Sequence, residues 1–105
     1  MNNYIRFLNE SVGIPKPQDA TARALFELIC LHEGIGHPMK VTQAMHQPQI
    51  ASPATLHRKL DELLLLGLIT HEFKGTNRRT KYLKMSEAGG RYTVLMSQAM
   101  ERALT

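Results

Sequence analysis

The chain has 105 residues, 43% of them hydrophobic and 21% charged, which excludes wholesale disorder and leaves enough length for one folded domain. No apolar run approaches the ~20 residues needed to span a bilayer, because the run at Leu63–Leu66 breaks at Gly67. The net charge of +4 is concentrated: the stretch from Pro53 to Lys84 carries seven cations against three acids, and the remaining six of each sign cancel. A basic surface confined to one segment is the footprint expected for a polyanion partner, the plainer alternative being a solvated face of a basic protein.

In chain order, the opening Met1–Arg6 lacks the charged, apolar and small-residue segments of a signal peptide, which predicts a cytoplasmic protein. Tyr4, Ile5, Leu8 and Val12 have helical spacing and predict a short N-terminal helix or arm within 1–17, closed by Gly13-Ile14-Pro15-Lys16-Pro17. Asp19 is placed to cap a second helix with an apolar stripe at Ala22, Leu25, Phe26 and Ile29, stopping at Gly34 and Gly36. Cys30 is alone, so no internal disulfide and no cysteine-based metal framework is expected, and core packing suits it better than redox sensing. His32, His37, His46 and His71 have no zinc-site spacing, and the six Met residues read as core filler.

Met39–Val41 reads as a short extended piece, and Thr42 as the cap of a brief helix ending before Pro48. After a tight connection at Gln47–Ala51, Ser52-Pro53 is a strong helix start, because proline at the first helical position lacks only an N–H that has no partner there. Leu56, Leu60, Leu63 and Leu64 give this helix, Ser52–Leu66, its buried stripe, and Gly67 fits the left-handed position beyond its end. The period then changes from 3.6 to 2, so that 68–73 and 80–85 read as strands with turn residues Gly75 and Asn77 between them. Ser86 caps a last helix, 86–105, with Tyr92, Leu95, Met96, Ala99, Met100 and Ala103 on one face. The fold class expected is mainly α with a small β-hairpin (α+β). Its order is that of a winged helix-turn-helix: core 18–85, recognition helix 52–66, and a basic wing at Lys74–Arg79.

The stretch Ser52–Gly89 resembles the DNA-binding core of MarR-type winged-helix regulators. The resemblance rests on Ser52-Pro53-Ala54-Thr55-Leu56, Leu60, Leu63 and Gly67-Leu68-Ile69. It continues through Asn77-Arg78-Arg79 and Leu83-Lys84-Met85-Ser86-Glu87-Ala88-Gly89. It departs at Asn77, where family members commonly have an aspartate that braces the wing arginine, and the chain is shorter than typical members, whose long terminal helices build a dimer.

Opposite the leucine stripe lie Ala54, Arg58, Asp61, Glu62 and Leu65, with Thr55 at the edge. The N-terminal part of a recognition helix meets base edges, so Ala54, Thr55 and Arg58 are the best-positioned readers, Arg58 as a bidentate partner of guanine. Ser52, His57 and Lys59 suit phosphates. The competing assignment pairs Arg58 with Asp61 or Glu62 at i+3 and i+4. Lys74, Asn77, Arg78 and Arg79 would meet the DNA backbone or minor groove from the wing, either arginine being placed to insert, unless they merely keep a hairpin edge soluble. Leu65 points away from the core, so the terminal helices or a second subunit must cover it. A homodimer through Leu65, Tyr92, Met96 and Met100 is preferred, matching a palindromic operator. No nucleophile–base pair, metal cluster or phosphate loop occurs in the sequence, so neither catalysis nor a cofactor is expected. The leading expectation is a sequence-specific double-stranded-DNA-binding transcriptional regulator acting by operator occupancy. The alternatives are a replication, partition or mobile-element DNA binder, and a winged helix used as a protein-interaction module.

Overall fold

The computed structural model describes Asn2, Ile5, Arg6, Asn9 and residues 13–76 and 78–104. Their elements are α1 (Ala20–Gly34), α2 (Val41–Ala44), α3 (Pro53–Leu65), β1 (Ile69–Phe73), β2 (Lys81–Met85) and α4 (Glu87–Leu104). The fold is therefore α+β, helices around a two-stranded antiparallel hairpin. Among the described residues no helix is long and apolar enough to cross a membrane. Of the expected N-terminal helix, Ile5, Arg6 and Asn9 are helical, with Asn2 Oδ1 accepting from the Ile5 N–H at 2.8 Å. Tyr4, Leu8 and Val12 lie outside the described residues.

Local chemistry sets most of the boundaries. Asp19 Oδ1 accepts the Ala22 N–H at 2.8 Å and opens α1, satisfying one of the donors that every helix start leaves without an intrahelical partner. Ser52 Oγ accepts from the Thr55 N–H and opens α3, with Pro53 in the first turn. At the other end of α3, Gly67 adopts φ +76°, which a side chain would disfavour. The chain turns there so that the Leu68 N–H reaches the Leu63 carbonyl at 3.1 Å and the Gly67 N–H reaches Leu64 at 3.0 Å. Thr42 proves not to be a cap. The cap lies two residues earlier, at Lys40, and helix α2 starts at Val41, because Gln43 Oε1 reaches back to the Lys40 N–H at 2.9 Å and Lys40 is held extended by an antiparallel bridge to Tyr82. The Leu83 N–H donates to the Met39 carbonyl at 2.8 Å, so β2 is flanked on one side by β1 and on the other by this short extended piece.

The core forms where the helices meet the root of the hairpin. Leu25, Phe26 and Ile29 of α1, Leu56, Leu60 and Leu63 of α3, and Met39, Leu68, Ile69 and Leu83 are all buried. Phe26 meets the Tyr92 ring edge-on, centroids 5.7 Å apart, which ties the first half of α4 to α1. Only Ile69 of β1 is fully buried. Thr70, His71 and Glu72 are exposed, so β1 is the outer strand, whereas β2 lies on the core through Leu83 at mid-strand.

Helix α4 starts at a crowded joint. Ser86 donates its hydroxyl to the Gly67 carbonyl, accepts from the Gly89 N–H at 3.0 Å, and gives its own N–H to the Leu68 carbonyl at 3.0 Å. Gly89 sits against the same carbonyl, so closely that a Cβ would overlap its oxygen and lie 3.0 Å from Met85 Cγ. A Cβ on neighbouring Gly90 would meet only Met85 Cε, at 3.8 Å. Gly89→Ala is expected to lower unfolding free energy by about 1–3 kcal/mol through overpacking. Gly90→Ala should be neutral or stabilising by up to ~1 kcal/mol, alanine being the better helix former. Urea denaturation of the two variants checks this, and equal effects would remove the steric account.

Candidate functional site

The outward face of α3 begins with its cap. Ser52 and Thr55 are joined by their hydroxyls, Ser52 Oγ donating to Thr55 Oγ1 at 3.1 Å, so both groups expected to face a ligand already serve the helix start. Thr55 is half-buried, whereas Ala54, His57 and Arg58 are exposed. His57 Nε2 lies 3.7 Å from Asp61 Oδ2, one turn along the helix.

Lys59 departs from expectation. Its side chain is only 14% exposed, and Nζ forms an ion pair with Asp19 and a second with Glu62 at 3.2 Å. The hydrogen bond to Asp19 is the main cause that holds the Lys59 ammonium above its ordinary pKa. Asp19 in turn is held below the usual carboxylate range, first by the Ala22 N–H and then by Lys59. Lys59 is thus a strut between α3 and the start of α1 rather than a phosphate contact.

This strut has a consequence for Arg58. Both acids within helical reach are engaged elsewhere, Asp61 by His57 and Glu62 by Lys59. Among the described residues Arg58 has no ion-pair partner, so the self-pairing assignment does not hold. An exposed guanidinium with five donors remains on the first half of α3.

The hairpin carries the second group of cations. Glu72 is paired with Lys84 across the strands at 2.7 Å, and Lys74 is exposed beside them. The Arg78 guanidinium stands 5.4 Å from the centroid of the Phe73 ring, and Lys81 Nζ stands 5.9 Å from it. Asn77 lies outside the described residues. Arg79 is exposed and, with Arg78 and Lys81, borders a recess of about 360 Å³ closed on its far side by Lys40 and Thr42. The bridge from Lys40 to Tyr82 creates this recess by setting two distant segments side by side. Sequence reasoning missed Lys40, Thr42, Thr80 and Lys81. The only signal was the extended piece at 39–41, which needed a strand to pair with.

The residues expected at a dimer interface divide. Leu65 is 90% exposed and Met100 63%, and Met96 is half-buried against the core. Tyr92, by contrast, is buried within the single chain against Phe26. A groove of about 790 Å³ runs between α1 and α4, bordered by Cys30, Leu31, Ile35, Met96, Met100 and Leu104. Among the described residues no three His, Cys, Asp or Glu side chains gather as a metal site. Compared with known proteins, the chain matches no family model, no curated protein and no solved structure.

Cys30 is half-buried in the wall of this groove. Burial, reinforced by the negative charges of Glu33 and Glu27, pushes its thiol up to about 11. Roughly one thiol in ten thousand is then ionised at pH 7, so the reactive thiolate is scarce. Iodoacetamide alkylation of the native protein, followed by mass spectrometry, should be slow at pH 7 and accelerate about tenfold per pH unit towards pH 10. A rate that levels off near pH 8 would contradict this environment.

Proposed function

We infer that the chain is a winged helix-turn-helix protein that binds double-stranded DNA in a sequence-specific way and regulates transcription by occupying an operator, without catalysis. The order α1, extended Met39–Lys40, α2, tight turn, α3 and hairpin supports the reading, with α3 as recognition helix and the hairpin as wing. The observation that carries it is Arg58, exposed on the first half of α3 with no ion-pair partner among the described residues, Glu62 being held by Lys59. A guanidinium so placed suits the O6 and N7 acceptors of guanine in the major groove. The Lys59 pairing reduces the repulsion that Glu62 would exert on phosphates. The hairpin adds exposed Lys74 and Arg78 on a projecting arm, the arrangement expected of a part that meets the backbone or minor groove.

The reading includes a homodimer. Leu31 and Ile35 near the end of α1 and Met100 and Leu104 near the end of α4 are large, exposed and border one groove, and Leu65 is exposed at the end of α3. A two-fold pairing of that face would cover side chains the monomer leaves in water and present two copies of α3 to a palindromic site.

Fluorescence anisotropy with a panel of duplexes at several salt concentrations tests the DNA assignment. Arg58→Ala should cost about 1–3 kcal/mol on the preferred sequence and flatten the differences between sequences. Arg78→Ala should weaken all sequences about equally and reduce the salt slope by about 1. Equal loss on every sequence for Arg58→Ala removes its base-reading role. Absence of salt-dependent binding removes the function. For the dimer, light scattering should give twice the chain mass at micromolar concentration, and Met100→Lys with Leu104→Lys should halve it. A monomeric wild type would overturn the dimer alone.

A further inference from the structure

The recess beside the outer end of the hairpin has a composition unlike the rest of the surface. Lys40 comes from the extended piece before α2, Arg78 and Arg79 from the hairpin tip, and Lys81 from the first residue of β2. Two hydroxyl side chains, Thr42 and Thr80, complete its polar lining, and among the described residues no carboxylate borders it. Elsewhere the cations of the described chain are commonly matched with acids: Arg23 with Glu27, Lys59 with Asp19, Lys84 with Glu72, and Arg91 with Glu87. Lys40, Arg78 and Lys81 repel one another across this space of about 360 Å³, and an anion seated there relieves that repulsion.

The ring of Phe73 gives the recess a fixed element. It lies under both Arg78 and Lys81, at 5.4 and 5.9 Å, so these two charges are positioned without a carboxylate to neutralise them. The backbone bridge between Lys40 and Tyr82 fixes the opposite wall relative to β2. An anion that uses several cations and two hydroxyl donors together has several oxygens spread in three dimensions. A phosphate group has that form, and arginine forks and lysine point charges are its usual protein partners.

We propose that the recess bounded by Lys40, Thr42, Arg78, Thr80 and Lys81 binds a phosphate group. Its natural source is a backbone phosphate of DNA next to the segment the hairpin touches, and for that source the inference rests on the DNA reading above. A free phosphate-bearing ligand has the same chemistry and is the other source. The site extends the DNA contact surface beyond α3 and the hairpin tip to the start of α2.

Two measurements on the full chain separate the outcomes. The first is anisotropy on a duplex as a function of salt, comparing wild type, Lys40→Gln/Lys81→Gln, and Arg23→Gln/Arg91→Gln. The last pair removes the same charge outside the recess. The second is titration of the DNA-free protein with inorganic phosphate, following the backbone amide resonances of Thr42 and Thr80 by NMR. For a DNA phosphate, the Lys40/Lys81 variant should lower the slope of log affinity against log salt by about 1 and the matched control should leave it unchanged. For a free phosphate, the Thr42 and Thr80 resonances should move saturably in wild type and not in the Lys40/Lys81 variant, whatever the slope does. If no duplex binds but the resonances move, the recess stands and the DNA function falls. If duplex binds, both double variants alter the slope equally or not at all, and the resonances stay still, the recess is overturned and the DNA function stands. If neither ligand binds, both fall.

Discussion

The carbonyl of Leu68 is approached from two directions, and much of the molecule is arranged around that fact. The Ser86 N–H donates to it, and the start of α4 packs on it so closely that only glycine fits at position 89. One residue earlier, Gly67 turns the chain out of α3 and receives the Ser86 hydroxyl. The end of α3, the root of both strands and the first turn of α4 are therefore fixed to one another through the two consecutive carbonyls of Gly67 and Leu68. Leu68, Ile69 and Leu83 are buried immediately below this joint, so the orientation of the hairpin against α3 is set by packed core rather than by a free loop.

The charges follow a second rule: acids are used up inside the fold or along its helices, and cations are left over on one group of elements. Asp19 and Glu62 hold Lys59, Asp61 faces His57, and Glu72 holds Lys84. Glu33, on α1, accepts the Met85 N–H at 2.7 Å and so ends β2 rather than meeting a cation. Among the described residues Arg58 on α3 and Arg78 and Lys81 beside Phe73 are cations without an ion-pair partner. Individually such surface ion pairs contribute little stability. Their larger effect here is on the distribution of charge, and it is that distribution on which the proposed DNA binding rests.

Features carried by neighbours in sequence were legible before any coordinates. The Asp19 and Ser52 caps, the Gly67 turn, the change of period after it and the Ser86 start of α4 each depend on residues within four positions. What the sequence hid is non-local. Lys59 looked like part of a solvent face because its partner Asp19 lies forty residues away and comes within reach only through the packing of α1 on α3. Lys40 and Lys81 met only through the bridge to Tyr82. Tyr92 shares a helical stripe with Met96 and Met100, but it packs on Phe26 whereas Met100 is exposed, so one stripe passes from core to surface. A wheel projection has no axis along the helix and cannot register that change.

The single buried residue in β1 also bears on thermodynamics. Because Thr70, His71 and Glu72 are exposed, β1 is held mainly by its pairing with β2, which is anchored at Leu83 and by the bridge from Lys40 to Tyr82, and support falls off beyond the strands towards Lys74. Local opening therefore costs least at the outer end and approaches the global unfolding free energy at the root. Any ligand gripped by the outer residues restrains that end, and part of the gross interaction energy is spent on lost conformational entropy. For such a ligand the net affinity is smaller than its contacts alone imply.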